Sequence, residues 1–194
     1  MKRTFIAADI LPTSKLKKDY DLVRYRLRLE RINWVPVNNL HITLNFLGDT
    51  EEELLADIVR SIENIVRGKT GFELTLRSFG VFKNLREPRV IWIGCDPCPV
   101  LGMIKKELDG CLSGFGFEPE NRAFSPHLTL GRVREIRQQN QLSQLITLYK
   151  EVEIQKQMVD KITLYESKLT PAGTEYMPIQ VFPLSSNSLP LDDC

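Results

Sequence analysis

The sequence predicts an α+β fold in which two lobes share one cleft. The predicted strands are half polar and are joined partly by hairpin-like links, which favours this class over a buried parallel sheet. The phrase His-apolar-Thr-Leu also occurs twice, at 41–44 and at 127–130, each time within a predicted strand. We therefore expect each lobe to contribute one histidine strand to the cleft, although the halves are otherwise dissimilar.

The first 31 residues predict a strand followed by a helix. The strand covers 3–8, and the helix lies near 12–31 with Thr13 or Ser14 as its cap. Basic side chains recur along the helix, at Lys17, Arg24, Arg28 and Arg31. We interpret them as a solvated face, with RNA contact as the alternative.

Alternation defines the first histidine strand, at 40–47. One face carries the apolar residues Leu40, Ile42, Leu44 and Phe46, and the other carries His41, Thr43 and Asn45. We expect the apolar face, Phe46 included, to point into the core. Leu47 interrupts the pattern just before Gly48.

The remaining elements follow from periodicity and breakers. A helix at 49–68 has Asp49 or Thr50 as its predicted cap and ends at Gly68. Further strands are predicted at 72–79, 89–95, 161–167 and 176–182, and further helices at 100–114 and 138–148. We predict a single bilobal domain at 1–184 and a flexible tail at 185–194.

Composition excludes several classes of protein. The chain has 194 residues, 42% of them hydrophobic, which suits one soluble domain. A net charge of +1 argues against a broad surface that coats nucleic acid, but it allows a small basic site. There is no run of membrane-spanning length, and Asp9 interrupts the short apolar start, so we expect a cytoplasmic protein.

Four cysteines include one C-x-x-C pair, Cys95 and Cys98. Such a pair can indicate redox or zinc chemistry, but a structural zinc site needs four ligands. Only Cys111 and Cys194 remain, at irregular spacing. We interpret the pair as part of a strand-to-helix turn.

The only two histidines, His41 and His127, are the main functional signal. Imidazole exchanges protons near neutral pH, and reactions at a phosphate ester need one group to accept a proton and one to donate it. A single histidine on a half-buried strand is more often structural. Because both histidines carry the same local context, we favour the catalytic interpretation.

Two segments around these histidines resemble the paired H-x-T signatures of the two-histidine (2H) phosphoesterases. They are WVPVNNLHITLNFLG at 34–48 and FSPHLTLGRV at 124–133. Within that superfamily they are most similar to the RNA 2′,3′-cyclic phosphodiesterases, historically also called 2′-5′ RNA ligases. RTFIAADI at 3–10 and ITLYESKLTPAGTEY at 162–176 extend the resemblance over nearly the whole chain.

The resemblance implies two mainly antiparallel sheets flanked by helices around a central cleft. It implies hydrolysis of a 2′,3′-cyclic phosphate to a 2′-phosphate, without a metal or another cofactor. The implied substrate is RNA with a 2′,3′-cyclic phosphate end, such as tRNA halves or oligonucleotides, or a cyclic nucleotide. We further expect a monomer without a membrane partner.

The resemblance also implies site roles. His41 is assigned as general acid to O3′ and His127 as general base on water, although the residues alone leave the two roles interchangeable. Thr43 and Thr129 would bond the non-bridging phosphate oxygens.

Two further residues are candidates for substrate binding. Arg132 matches the arginine that the family uses after its second motif, but strict alternation turns it away from His127. A bulge or bend at Gly131 would correct this. Phe124 could stack on a base, although a core role is the more common one for such an aromatic residue.

Two alternatives to hydrolysis remain open. The same residues would serve a 2′-5′ ligase that joins a cyclic phosphate end to a 5′-hydroxyl. A non-catalytic module that binds RNA ends is the other, although all five matched residues, His41, His127, Thr43, Thr129 and Arg132, are present.

Overall fold

The α+β class is confirmed by a computed structural model that describes residues 1–171 and 173–186. The described elements are β1 (Lys2–Asp9), α1 (Ser14–Arg26), β2 (Arg31–Trp34), β3 (His41–Thr50), α2 (Glu52–Val66), β4 (Phe72–Phe82), β5 (Val90–Cys95), α3 (Pro99–Leu112), β6 (His127–Glu135), α4 (Gln139–Leu148), β7 (Glu153–Val159), β8 (Lys161–Thr170) and β9 (Gly173–Pro183). Within these ranges, no helix is long and apolar enough to cross a membrane.

The strands form two antiparallel halves that meet at a single point. The strand order is β7-β4-β5-β6-β3-β1-β8-β9, and β2 pairs with β6. Strands β3 and β6 share only one residue pair, Ile42 with Leu128. We call β3, β1, β8 and β9 the first half-sheet, and β7, β4, β5, β6 and β2 the second. They take the place of the two sheets expected from the resemblance, but the pair between Ile42 and Leu128 joins them into one sheet of nine described strands.

Helices tie the half-sheets together by crossing between them. Helix α1 follows β1 of the first half-sheet but packs against β7 of the second. Helix α3 follows β5 of the second half-sheet but packs against β3 and α2. Buried apolar residues line the contacts between these elements, among them Leu16, Val23, Ile58, Ile62, Leu101, Ile104 and Leu108. The result is one continuous core beneath both half-sheets.

The predicted cap of α1 is confirmed and that of α2 is wrong. The Thr13 hydroxyl accepts a hydrogen bond from the Leu16 amide at 3.2 Å. Helix α2 starts after Glu51, whose side chain makes no capping bond. Thr50 cannot cap the helix because it ends β3, where its hydroxyl bonds that of Thr4 at 2.7 Å in the core.

The prediction that Phe46 points into the core is also wrong. Its side chain is 54% exposed, and the Arg3 guanidinium lies 4.9 Å from the ring centre. The pairing with β1 skips Leu47, because Phe46 and Gly48 pair with successive residues of β1. Leu44 is skipped in the same way, and this earlier bulge reverses the alternation ahead of Phe46. Phe46 therefore turns outward, and Leu47 is buried in its place.

Strands β2 and β7 were not predicted. Both are polar: β2 reads RINW and β7 reads EIQKQMV. Neither offers the sustained apolar alternation on which a strand prediction depends. Each lies at an edge of the second half-sheet, where one side of the strand needs no partner.

The predicted tail lies mostly outside the described residues. Ser185, its first residue, is held to the strand region that follows α2. Its amide donates to the Lys69 carbonyl at 2.8 Å, and its carbonyl accepts from the Gly71 amide at 2.9 Å. The prediction of flexibility at 187–194 stays a prediction.

Candidate active site

The two histidine motifs lie side by side at the junction of the half-sheets. Ile42 and Leu128 form the pair that joins β3 to β6, and both side chains are fully buried. The flanking side chains therefore point to the opposite face. Antiparallel pairing brings His41 next to Thr129, and Thr43 next to His127, on that face.

Main-chain carbonyls hold both imidazoles in the same way. The Nδ1 atom of His41 lies 2.8 Å from the Asn39 carbonyl oxygen, and that of His127 lies 2.8 Å from the Ser125 carbonyl oxygen. A carbonyl oxygen only accepts, so Nδ1 of each ring carries the hydrogen and donates it. In the neutral rings, both Nε2 atoms then carry no hydrogen and are the atoms that can accept a proton.

His41 is the more enclosed of the two. Its ring packs against Phe5 at 4.8 Å between centres and edge-on against Tyr176 at 5.2 Å. The Thr43 hydroxyl is 3.1 Å from Nε2 and donates to it when the ring is neutral. When His41 is protonated and Nε2–H donates to a substrate oxygen, this oxygen takes the place of the Thr43 hydroxyl. The hydroxyl is then available to bond a phosphate oxygen.

His127 lies at the mouth of a cavity. Phe82 meets its ring edge-on at 4.6 Å, and the cavity continues past Phe124 and Arg122 to the ion pair between Lys105 and Asp109. Phe124 is half-buried, packs against the core and lines this cavity, so the core role is present and the stacking role stays a prediction.

A bulge sets the direction of Arg132. Thr129 pairs with Trp92 and Gly131 pairs with Ile91, so Leu130 between them has no partner on β5. The break thus lies one residue before Gly131. It leaves Arg132 exposed on the face that carries His127 and Thr129. From there, the positive charge of Arg132 lowers the pKa of both histidines.

The pKa of His41 is lowered by burial, but a carboxylate partly offsets the effect. The bond to the Asn39 carbonyl and the negative charge of Asp9 both favour the protonated ring. Asp9 pairs with His41 across β1 and β3. Its carboxylate accepts hydrogen bonds from Tyr165 at 2.6 Å and Thr163 at 3.1 Å, which keep it in place.

The pKa of His127 is also lowered by burial, but its charged surroundings differ. The bond to Ser125 favours the protonated ring, whereas the Arg122 guanidinium opposes it and Glu120 counteracts Arg122 only in part. Close to neutral pH, both rings are therefore mainly neutral in the free protein. Asp9 favours the proton on His41, whereas Arg122 disfavours it on His127.

Three neighbours of the histidines were not identified from the sequence. Tyr176 comes from β9, Phe82 from the end of β4, and Arg122 from the segment before β6. Tyr176 lies inside a segment that carries the family resemblance, which was the only signal for it. No sequence pattern marks Phe82 or Arg122, because long-range strand pairing and loop conformation bring them to the site.

The C-x-x-C pair is a strand-to-helix turn, as predicted. Cys95 ends β5, and Cys98 directly precedes α3. Burial raises the pKa of the Cys95 thiol to about 12, so it is a poor nucleophile. In the described part of the chain, no three His, Cys, Asp or Glu side chains form a cluster that could hold a metal ion.

Solved structures share this architecture. LigT of E. coli is 26% identical with a TM-score of 0.72, and the match covers 95% of this chain and 98% of that one. A protein of Thermus thermophilus is 25% identical with a TM-score of 0.76, covering 95% and 99%. The E. coli protein has also been solved in complex with 3′-AMP.

Sequence relatives point the same way. A protein of Methanothermobacter thermautotrophicus named RNA 2′,3′-cyclic phosphodiesterase is 38% identical, covering 79% of this chain and 83% of its own length. Its namesake from Thermotoga maritima is 34% identical, covering 90% and 91%. The family model LigT like Phosphoesterase matches residues 11–92 and 95–176, and each matched range contains one histidine motif. The chain therefore belongs to the LigT-like phosphoesterase family.

Proposed function

We propose that this protein hydrolyses the 2′,3′-cyclic phosphate end of RNA to a 2′-phosphate. The observation that carries the proposal is the matched pair of imidazoles. His41 and His127 lie on neighbouring strands, each with Nδ1 bonded to a main-chain carbonyl and Nε2 available for proton transfer. Such a pair supplies an acid and a base to the two sides of one phosphorus centre.

The reaction needs one protonated and one neutral imidazole at the start. Nε2 of His127 accepts a proton from water as the water oxygen bonds to phosphorus. The P–O3′ bond breaks, and Nε2–H of His41 protonates O3′. The products are a 2′-phosphate and a free 3′-hydroxyl, and each histidine has exchanged its protonation state.

Local charge supports this assignment of acid and base. Asp9 favours the protonated form of His41, whereas Arg122 disfavours that of His127. The anionic phosphate itself favours a protonated ring when it binds, which offsets the effect of burial. The Asp9 carboxylate, at the position paired with His41, favours the proton on His41 when the phosphate binds.

The remaining predicted residues would hold the phosphoryl group. Thr43 and Thr129 would donate to the non-bridging oxygens, and Arg132 would offset the charge that develops on them. The cavity beside His127, with Phe82 and Phe124 in its lining, offers apolar surface for the terminal base.

Relatives support hydrolysis as the main direction. Those at 38% and 34% identity carry the name RNA 2′,3′-cyclic phosphodiesterase. The reverse, ligating reaction would exchange the roles of His41 and His127. The abundance of water favours hydrolysis over attack by a 5′-hydroxyl. RNA with a cyclic phosphate end is thus the proposed substrate. We propose that the protein acts on it as a monomer.

The test is to incubate EDTA-treated protein with an RNA that ends in a 2′,3′-cyclic phosphate. We expect conversion to a 2′-phosphate, identified by mass and by its position on the ribose. The variants His41→Gln and His127→Gln should each lower kcat by roughly 10²- to 10⁴-fold, because each removes one proton-transfer group.

Product position and folding provide the controls. A contaminating ribonuclease that opens the same ring to a 3′-phosphate is recognised by that product. Circular dichroism should show that both variants keep their secondary structure. Full activity in both variants, or no turnover by the wild type despite tight RNA binding, would contradict the proposal, and the second result would favour the RNA-end binding module.

A further inference from the structure

Four exposed arginines without ionic partners lie along the end of β6 that is distant from His127. They are Arg86, Arg89, Arg132 and Arg134. In the described part of the chain, no carboxylate forms an ion pair with them and none of their guanidinium groups donates a hydrogen bond. A group of positive charges without a carboxylate partner, beside a phosphate-directed site, suggests an anionic ligand.

We call these four arginines the arginine track, because two of them are neighbours on one face of β6 and three of them line one groove. Arg132 and Arg134 are two residues apart on β6 and are both exposed, while Val133 between them is buried. Side chains at this spacing share one face about 6.6 Å apart. Arg134 also lines a groove with Arg86 and Arg89 of the loop between β4 and β5.

The loop that supplies two of the arginines is anchored to its surroundings. The Val133 amide donates to the Arg89 carbonyl at 2.9 Å, which fastens the loop to β6. The Gln139 side chain at the start of α4 donates to the Arg86 carbonyl at 3.1 Å. The main chain at both arginines is therefore held, while their guanidinium groups extend into solvent.

Acidic residues in the groove are already occupied. Glu135 bonds Arg137 at 3.0 Å and lies 3.7 Å from Arg31. Glu87 bonds Lys83, although it is also within electrostatic reach of Arg89. The groove therefore keeps a net positive charge. Its other lining residues are Pro88, Val133 and Ile136, and none of them is aromatic.

We propose that this arginine track binds the sugar-phosphate backbone of the RNA that precedes the cyclic end. The inference rests on the proposed function. With the cyclic phosphate between His41 and His127, Arg132 bridges the reacting centre to Arg134 and the groove. Guanidinium groups bind phosphates, and a groove without aromatic side chains offers no platform for bases. The preferred substrate is thus an oligonucleotide, bound with little regard to sequence, rather than a cyclic mononucleotide.

The test compares two substrates in one variant. Arg86→Gln/Arg89→Gln/Arg134→Gln leaves Arg132 and the histidines intact. The ratio of kcat/KM for a cyclic-phosphate-ended octanucleotide to that for a 2′,3′-cyclic mononucleotide should fall by roughly ten-fold or more. The slope of log Kd against log salt for the octanucleotide, from fluorescence anisotropy, should become shallower by about 2, since three phosphate contacts are lost.

A matched variant controls for net charge. Lys17→Gln/Arg24→Gln/Arg28→Gln removes the same number of charges from exposed positions along α1 and just beyond it. It should leave the substrate ratio and the salt slope as in the wild type. Equal losses in both triple variants, or an unchanged ratio and slope in the groove variant, would overturn the proposal. If the wild type hydrolysed neither substrate, the proposed function would fail. The salt slope from fluorescence anisotropy would still decide whether the arginine track binds RNA.

Discussion

The orientation of both catalytic candidates depends on main-chain carbonyls rather than on a third side chain. Asn39 and Ser125 each accept the Nδ1 hydrogen of the histidine two residues later. The sequence singled out the histidines because no others exist in the chain. It could not show what orients them, since any residue at 39 or 125 offers the same carbonyl.

At the residue scale, Asp9 should set the pH range in which His41 is an acid. Hydrolysis needs a protonated His41, so the rate falls when pH rises through the pKa of this ring. Asp9→Asn removes a negative charge that raises that pKa. The fall in kcat/KM at high pH should therefore begin at a lower pH than in the wild type, as measured by a pH–rate profile.

Tyr165→Phe is the matched variant for this measurement. It removes the hydroxyl that donates to Asp9 but leaves the carboxylate charge beside His41. Other charged or titratable groups near His41 are Arg132, His127, Tyr176 and, through Asp9, Lys161. These groups are unchanged in both variants. A high-pH fall displaced to the same lower pH in both variants would show that local packing, not the Asp9 charge, controls the profile.

At the scale of the element, two bulges mark the limit of what alternation predicts. The motif strands and most helices follow from periodicity in the sequence. Leu44 and Leu130 are skipped by their partner strands, and each skip reverses the faces that follow it. The outcome was an exposed Phe46 and an Arg132 on the histidine face. A bulge depends on the partner strand, which local sequence does not specify.

Gly131 should be needed for the shape of this part of β6. An added Cβ atom would lie 2.7 Å from Ile32 Cγ2 and 3.0 Å from Trp34 Cε3. Gly131→Ala should therefore push β2 away and lower the free energy of unfolding by about 1–3 kcal/mol. Because Arg132 follows directly, kcat/KM should fall as well. Chemical denaturation and steady-state kinetics measure the two effects.

Gly110→Ala is the control for this substitution. Gly110 is exposed on α3, and an added Cβ atom there would meet no heavy atom within 4 Å. The variant should gain about 0.5–1 kcal/mol of stability, because alanine is the better helix former. Wild-type stability and activity in Gly131→Ala would show that β2 adapts to the extra methyl group.

At the scale of the whole molecule, the repeated phrase predicted two lobes but not how they are joined. The half-sheets share one residue pair, and α1 and α3 cross from one half-sheet to the other. These crossings are contacts between residues far apart in sequence, which no local pattern encodes. They are the reason we expect 1–184 to be one folding unit.

Coincident unfolding transitions of the two half-sheets would test whether 1–184 is one folding unit. The two tryptophans, Trp34 on β2 and Trp92 on β5, both lie in the second half-sheet, so their fluorescence reports that half. Far-UV circular dichroism reports both halves. We expect one midpoint in urea from the two signals, because the shared core couples them.

A variant at one contact between the half-sheets, between β7 and the segment that joins β1 to α1, tests the same coupling. The Gln155 side chain of β7 accepts from the Thr13 amide at 2.8 Å and donates to the Leu11 carbonyl at 3.0 Å. Gln155→Leu should lower the free energy of unfolding by about 1–3 kcal/mol and move both midpoints together. Separate midpoints in either protein would show that the lobes unfold independently.

The single pair between Ile42 and Leu128 also gives the molecule a pivot. Each half-sheet carries one imidazole, and among the described strands this is the one pair that joins a strand of one half-sheet to a strand of the other. The bridge between Thr70 and Ser185 lies outside the strands. The separation of the two Nε2 atoms is therefore governed by the side chains packed underneath, not by a hydrogen-bonded ladder. Core substitutions far from any substrate would alter the distance between the acid that protonates O3′ and the base that accepts a proton from water, so the catalytic rate would report on packing in the interior.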